Sequence, residues 1–203
     1  DARVAENGAW ALFMNKTAAL SSKDGHCSLS KSYQQDEATR LVNAGRMEQV
    51  VQRVLCEVPG AMLSRDSPGR ETDIAIDHSE FAHMPATQIA QTLQIMRSAG
   101  MNASVSSIHI NGWFGAHNKL DGARWIVREL LGRALEDEMD HWVYVGDSTN
   151  DQLMFEAFGN SVGVANVRRF EATLTHQPRY ITEGERGWGL AEGAAAVLAA
   201  RAN

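Results

Sequence analysis

The feature that most constrains the fold is a short apolar run, Trp142–Val145, that leads directly into glycine and aspartate. An uninterrupted run of four apolar residues is typical of a parallel strand that is buried on both faces. The chain then passes through Gly146 and Asp147 into a short helix that we expect to end near Phe158. Asp147 should therefore lie at the carboxyl edge of a parallel sheet, which is where open α/β folds bind their ligands.

The segments around this run alternate between helix and strand patterns. Lys119–Leu131 carries apolar residues at helical spacing and is followed by Gly132, a typical C-terminal cap. Two further strands and a final helix are predicted over Val162–Ala165, Arg179–Thr182 and Leu190–Ala200. Strands that alternate with helices in this way favour a doubly wound, Rossmann-like α/β fold with a parallel sheet.

The middle of the chain has a different pattern, in which each helix is followed by two short strands. Residues 37–57 place apolar side chains three and four positions apart and so predict a helix, and a second helix runs from Pro85 to Gly100. The strand candidates are Ala61–Ser64, Thr72–Asp77, Ala103–Ser106 and Ile108–Phe114. Residues 37–114 thus predict an α-β-β-α-β-β unit with one sheet. Before it we expect a turn at Asn7-Gly8 and a polar connection over residues 15–36.

Composition and charge exclude several classes of protein. The 203 residues include 19 Lys and Arg against 25 Asp and Glu, and the net charge of -6 with no basic run argues against a nucleic-acid partner. The longest strictly apolar run, Ala194–Ala200, is too short to cross a bilayer, and no signal peptide is visible at the start. Cys27 and Cys56 fit neither a disulfide framework nor a zinc site, so we expect reduced thiols in a cytoplasmic protein.

Two carboxylates and a lysine suggest a site for a cation and a phosphate. Asp151 follows Asp147 by four residues, and two carboxylates at one site repel each other unless a cation lies beside them. Mg²⁺ fits best, because one or two carboxylates hold it together with waters and substrate phosphate. Lys119, in the first turn of its helix, opposes the helix dipole but would suit a phosphate ligand. The alternatives are two helix-capping aspartates and a solvated surface lysine.

The stretch Val145–Phe155, followed by Gly159 and Ser161–Asn166, resembles the fourth motif of the haloacid dehalogenase superfamily. It is most similar to that of the subfamily IIB phosphatases, which include sucrose-phosphate, mannosylglycerate-phosphate and Cof-type sugar phosphatases. Asn118-Lys119 resembles their third motif, and Glu6–Ala9 resembles the strand and turn before their cap. The resemblance implies a Rossmann-like core over residues 1–22 and 115–203, with an inserted α+β cap domain over residues 23–114.

One departure from this family concerns its first two motifs. The family's nucleophile lies in an Asp-x-Asp motif on the first strand, and the printed sequence contains no Asp-x-Asp. The Ser/Thr motif that ends the family's second strand is missing as well. We therefore expect roughly 40 or more residues, by ordinary element lengths, to precede Asp1 in the intact protein. We also expect the chain as printed to be inactive. The alternative is a catalytically silent binding or regulatory protein of this fold.

For the intact protein the resemblance implies a magnesium-dependent phosphatase of small phosphorylated sugars or sugar derivatives. A carboxylate of the missing segment would attack phosphorus to form an aspartyl-phosphate. Asp147 and Asp151 would bind Mg²⁺. Lys119 would bind both the nucleophile and the phosphate oxygens, oriented by Asp151 and Asn150. A sugar-phosphate mutase of the same fold is a further alternative, which would isomerise its substrate instead of releasing phosphate.

Residues of the predicted cap are the candidates for substrate selection. The cap usually supplies specificity in this family, and Arg70 and Asp73 lie in or beside one of its strands, with a solvated sheet face as the alternative. His78 and His83 lack the spacing of metal ligands on a helix, and we expect them to be solvated residues at a strand end. The expected substrate is thus a small phosphomonoester, with no nucleic-acid or membrane partner.

Overall fold

The computed structural model describes residues 2–14 and 29–201. Its N-terminal part is an antiparallel sheet of β1 (Ala2–Ala5), β2 (Trp10–Met14) and β3 (Leu29–Tyr33). The turn predicted at Asn7-Gly8 is confirmed as a 3-10 turn, Glu6–Gly8, that joins β1 to β2. The sequence predicts a polar connection in place of β3, because three of the five residues of β3 are serine or lysine. This strand is defined by its pairing with β2. Residues 15–28, which include Cys27, lie outside the described part.

The predicted α-β-β-α-β-β unit is confirmed. Its helices are α1 (Glu37–Glu57) and α2 (Ala86–Ser98), and α1 begins where the Asp36 side chain accepts a hydrogen bond from the Thr39 amide, a typical N-cap. The sheet is antiparallel with the order β4-β5-β7-β6, and its strands are β4 (Met62–Leu63), β5 (Asp73–Asp77), β6 (Asn102–Val105) and β7 (His109–Trp113).

The cap encloses the largest hydrophobic cluster of the described residues. Every residue of β5 and β7 is buried, and the cluster joins these strands to α1 and α2. Its completely buried members include Val54, Ile76, Met96 and Ile110. Burying a side chain of this size stabilises a fold by about 2 kcal/mol, so this cluster is the main source of stability in the cap.

The remaining elements form a parallel sheet with helices, as predicted. The sheet has the order β10-β9-β8, with β8 (Tyr144–Gly146), β9 (Ser161–Gly163) and β10 (Tyr180–Ile181). Its helices are α3 (Lys119–Leu131), α4 (Gln152–Ala157) and α5 (Arg186–Arg201). Further 3-10 turns lie at Ser67–Gly69, Leu135–His141, Thr149–Asp151 and Ala165–Phe170. Within the described ranges, no helix is both long and apolar enough to span a membrane.

The strand predicted at Trp142–Val145 differs from the prediction in two respects. It is shifted to Tyr144–Gly146, and the run is not buried on both faces, since Val143 is 40% exposed. The reason is that, among the described strands, β8 pairs with β9 alone. On its other side is a cavity of about 690 Å³, lined by residues of β1, α3 and β8. The open edge of β8 thus faces a gap between the hairpin and the parallel sheet.

Candidate active site

The loop after β8 brings two aspartates together. Asp147 follows β8 directly, and Asp151 completes the 3-10 turn that leads into α4. Oδ2 of Asp151 accepts hydrogen bonds from the backbone amides of Asp147, at 2.8 Å, and Ser148, at 3.2 Å. A Cβ atom on Gly146 would lie 2.8 Å from the carboxylate carbon of Asp151. Only glycine therefore fits at the end of β8 when the carboxylate folds back over it.

Lys119 lies at the start of α3 and contacts this loop, as the sequence predicts. Its Nζ donates to Asp151 Oδ1 at 2.5 Å and to Asn150 Oδ1 at 3.1 Å. The Tyr144 hydroxyl also donates to Asp151 Oδ1, at 2.5 Å. Burial alone would raise the pKa of Asp151, but the charge and the hydrogen bond of Lys119, together with Tyr144, outweigh it and lower the pKa below its ordinary value. Burial and the neighbouring carboxylate raise the pKa of Tyr144.

Asp147 has fewer protein partners than Asp151. Its Oδ1 lies 3.1 Å from the Ser148 hydroxyl, and its Oδ2 accepts a hydrogen bond from Asn166 Nδ2 at 3.1 Å. Asn166 is not among the site residues predicted from the sequence. It follows β9, and because the carboxyl ends of neighbouring parallel strands meet at one edge, that position is the signal that could have identified it.

The two aspartates fit Mg²⁺ unequally. One or two carboxylates, with waters and phosphate oxygens, are enough to hold this ion. Asp147 matches that description, whereas each oxygen of Asp151 already accepts two hydrogen bonds. In the part of the chain that the structure describes, no group of three or more His, Cys, Asp or Glu side chains could hold a metal ion. Binding of Mg²⁺ by Asp147 and Asp151 stays a prediction, with Asp147 the better placed of the two.

A second cavity, of about 270 Å³, lies between the cap and this site. Among the described residues that line it, Lys119 is the only lysine, arginine or carboxylate. The cleft also contains His117, and burial lowers the pKa of its imidazole. Most of the others are neutral and polar: Asn7, Asn102, Ser104, Asn118, Thr149, Asn150 and Gln152. The Thr149 hydroxyl donates to the carbonyl of Val105 in β6 at 2.7 Å, which ties the cap to the loop that follows β8. We refer to this cavity as the cleft.

Arg70 and Asp73 line neither cavity. They bind each other, at 2.8 Å, and Arg70 also binds Asp66. Asn7 lines the cleft and donates a hydrogen bond to Asp73 Oδ2 at 3.2 Å. The Glu6 carboxylate accepts hydrogen bonds from the backbone amides of residues 71 and 72. Burial raises the pKa of Asp73 to about 6, against the opposing effect of Arg70. The structure thus places this ion pair where the cap meets the Glu6–Gly8 turn, and contact with substrate stays a prediction.

The two histidines that were expected to be solvated differ in burial, and the nearby Trp113 is buried beside the cleft. His78 directly follows β5 and is buried rather than solvated. Its Nε2 lies 3.0 Å from the Ser106 carbonyl, and its Nδ1 lies 2.6 Å from the Ser79 hydroxyl. His83 is exposed, as expected. Trp113 in β7 is buried, donates to the carbonyl of His117 at 2.9 Å and lines the cleft.

Solved structures similar to this chain come from several organisms. Protein 0175 of Thermoplasma acidophilum has a TM-score of 0.56 at 16% identity, over 92% of this chain and 68% of its own. Sucrose-phosphatase of Synechocystis sp. PCC6803, in complex with sucrose and phosphate, has a TM-score of 0.55 at 14% identity, over 82% and 69%. The C-terminal domain of the Candida albicans trehalose synthase regulatory protein has a TM-score of 0.54 at 13% identity, over 89% and 69%.

These likenesses confirm the predicted fold class, a Rossmann-like α/β core with an α+β cap unit. At such low identity they establish the fold alone. No protein-family model matches the sequence, and no curated protein matches it significantly.

Proposed function

We propose that this chain, which has the haloacid dehalogenase fold with a cap, acts in a magnesium-dependent phosphatase of small phosphorylated sugars or sugar derivatives. The observation that carries the proposal is the Lys119 ammonium group, held by Asp151 and Asn150 in a cleft whose lining is otherwise mostly neutral and polar. One cation beside neutral amides and hydroxyls suits an anionic group that is attached to a neutral polyhydroxyl compound.

Each residue of the site has a distinct role in this proposal. Lys119 would bind oxygens of the phosphoryl group, and its contribution would grow as charge moves in the transition state. Asp151 and Asn150 hold its ammonium group in place. Asp147 would hold Mg²⁺, which supplies positive charge that screens the phosphate from an anionic nucleophile. The cap, tied to the core through Thr149, would cover the leaving group and exclude water.

The proposal places the nucleophile on a strand that would pair with the open edge of β8. Such a strand would occupy the cavity lined by Val4, Val127 and Tyr144, and if it ran parallel to β8 it would end near Lys119, which lines the same cavity. Its carboxylate would attack phosphorus and release the alcohol, which a second carboxyl group two residues later would protonate. Water would then hydrolyse the aspartyl-phosphate, which releases phosphate and regenerates the carboxylate.

A second candidate is a catalytically silent binding or regulatory protein. The printed sequence contains no Asp-x-Asp, and a protein of this kind would need none. Such a protein would bind a sugar phosphate in the cleft without releasing phosphate. A mutase of the same fold would convert the sugar phosphate into an isomer.

The test uses the protein encoded by the whole gene and measures phosphate release from a panel of sugar phosphates and one aryl phosphate in the presence of Mg²⁺. We expect Lys119→Ala to lower kcat by about 100-fold or more, because the ammonium group acts mainly in the transition state. Asp147→Asn should abolish turnover. Arg128→Ala, which removes an exposed cation from the same helix, should leave kcat unchanged.

The other arms of this experiment separate the candidates. The chain that begins at Asp1 should release no phosphate, and release at the rate of the whole-gene protein would contradict a nucleophile on a strand beside β8. Calorimetric binding of a sugar phosphate without turnover by the whole-gene protein would favour the silent alternative. An isomerised sugar phosphate as the product would identify a mutase.

A further inference from the structure

Tyr144 has a polar contact that its place in an apolar run does not predict. It lies in β8, two residues before Gly146, and its ring packs against Phe155 and Phe158 with centroid distances of 5.9 and 5.7 Å. This packing fixes the ring on α4 and aims its hydroxyl at Asp151 Oδ1, 2.5 Å away. The aromatic contacts therefore determine where the hydroxyl lies.

The Asp151 carboxylate is held from both sides. The two backbone amides bind Oδ2, while Tyr144 and Lys119 share Oδ1. The amides follow from the loop itself, so Tyr144 is the side chain other than Lys119 that fixes the plane of the carboxylate. Without the Tyr144 hydroxyl, Asp151 Oδ1 would lose a neutral hydrogen-bond donor and keep Lys119. The carboxylate could then rotate about the Cβ–Cγ bond of Asp151. The position of the Lys119 ammonium group would change with it.

We propose that Tyr144 is a positioning residue, whose hydroxyl holds Asp151 in the orientation that presents Lys119 Nζ to the phosphoryl group. The proposal rests on the proposed phosphatase function for its effect on catalysis. It requires no change in protonation of Tyr144 and no contact between Tyr144 and substrate. It predicts that removal of the Tyr144 hydroxyl lowers the rate of phosphate release, although Tyr144 does not line the cleft.

The test compares two variants of the whole-gene protein. Tyr144→Phe keeps the ring and removes the hydroxyl that binds Asp151, whereas Tyr180→Phe makes the same change at an exposed tyrosine of β10. For Tyr144→Phe we expect kcat to fall about tenfold with KM changed by less than about threefold, because the loss acts through Lys119 in the transition state. For Tyr180→Phe we expect kcat within about twofold of the wild type, because this hydroxyl belongs to an exposed residue of β10.

A crystal structure of Tyr144→Phe provides a readout that does not depend on activity. We expect Lys119 Nζ to move out of hydrogen-bond distance of Asp151 Oδ1. An unmoved Lys119, an unchanged kcat in Tyr144→Phe, or an equal loss of kcat in Tyr180→Phe would each overturn the proposal. If the wild-type protein releases no phosphate, the proposed function fails, and the position of Lys119 in the two crystal structures alone decides the role of Tyr144.

Discussion

The cap and the parallel sheet differ in how completely their strands are paired and packed. In the cap, β5 and β7 each have a strand on both sides, and one buried cluster joins both helices to them. In the parallel sheet, β8 has a described partner on one side only, and the core divides into two small clusters. The candidate catalytic residues belong to the second region. The cleft is thus formed by a self-contained cap on one side and by a loop at an incompletely paired strand on the other.

The largest effect that we expect from this difference is on stability. Ile110→Ala in β7 should lower the free energy of unfolding by about 4 kcal/mol, because Ile110 is completely buried in the cap cluster. Leu135→Ala should cost only about 2 kcal/mol, because Leu135, although also buried, belongs to a smaller cluster and lines the cavity beside β8. Urea denaturation of both variants measures the two values. Equal losses would mean that the two regions are packed equally well.

The same difference explains which parts of the fold could be predicted from the sequence. The bounds of α1 and α3 agree with the prediction, because their apolar spacing and their capping residues Asp36 and Asn118 are local signals. The limits of β8 and the existence of β3 could not be predicted in this way. Both strands are defined by pairing with a neighbour that is distant in the sequence, which leaves no periodic pattern in a segment of three to five residues.

The candidate site, like the helices and strands, could be predicted from the sequence only in part. The contact of Lys119 with Asp151 and Asn150 was expected only from the resemblance of Asn118-Lys119 and Val145–Phe155 to family motifs, and the structure contains this contact. The hydrogen bond of Tyr144 was not predictable, since a tyrosine within an apolar strand gives no indication of which way its hydroxyl points. The pairing of Arg70 with Asp73 depends on the 3-10 turn at Ser67–Gly69, whose form the sequence leaves open.

Two buried aspartates, one in each region, should respond to pH with opposite signs. The pKa of Asp73 is raised to about 6, so between pH 4 and pH 6 the folded protein keeps a proton that the unfolded chain has released. The free energy of unfolding should therefore fall as the pH rises through this window, by on the order of 2 to 3 kcal/mol. The pKa of Asp151 is lowered, so its contribution is present above its ordinary pKa and is lost as the pH falls.

Urea denaturation of the wild type and of Asp73→Asn at pH 4 and pH 7 isolates the first contribution. The advantage of the wild type over this variant should be greater at pH 4 than at pH 7, because the variant has no carboxyl group to ionise. A difference that is the same at both pH values would contradict a raised pKa for Asp73. It would also mean that Arg70 fully compensates the charge of this carboxylate where the cap meets the Glu6–Gly8 turn.

The smallest expected effect compares one glycine in a cap helix with one in a core helix. Gly45 in α1 has no atom within 4 Å of the position a Cβ would take, so Gly45→Ala should stabilise the protein by about 0.5 to 1 kcal/mol. In α3, a Cβ on Gly122 would lie 2.5 Å from the Cα of Gly8. Backbone cannot yield as a flexible side chain can, so we expect Gly122→Ala to lower the free energy of unfolding by about 1 kcal/mol despite the same gain in helix propensity.

Urea denaturation of the two variants at one pH gives this difference directly, since the substitution is identical and both sites lie within helices. If Gly122→Ala stabilised the protein as much as Gly45→Ala, the Glu6–Gly8 turn would not be packed against α3. The consequence would reach the cleft, because that turn carries Asn7 and α3 begins with Lys119, which both line it. A destabilised Gly122→Ala variant would instead mean that close backbone contact, rather than side-chain packing, fixes the hairpin beside the candidate site.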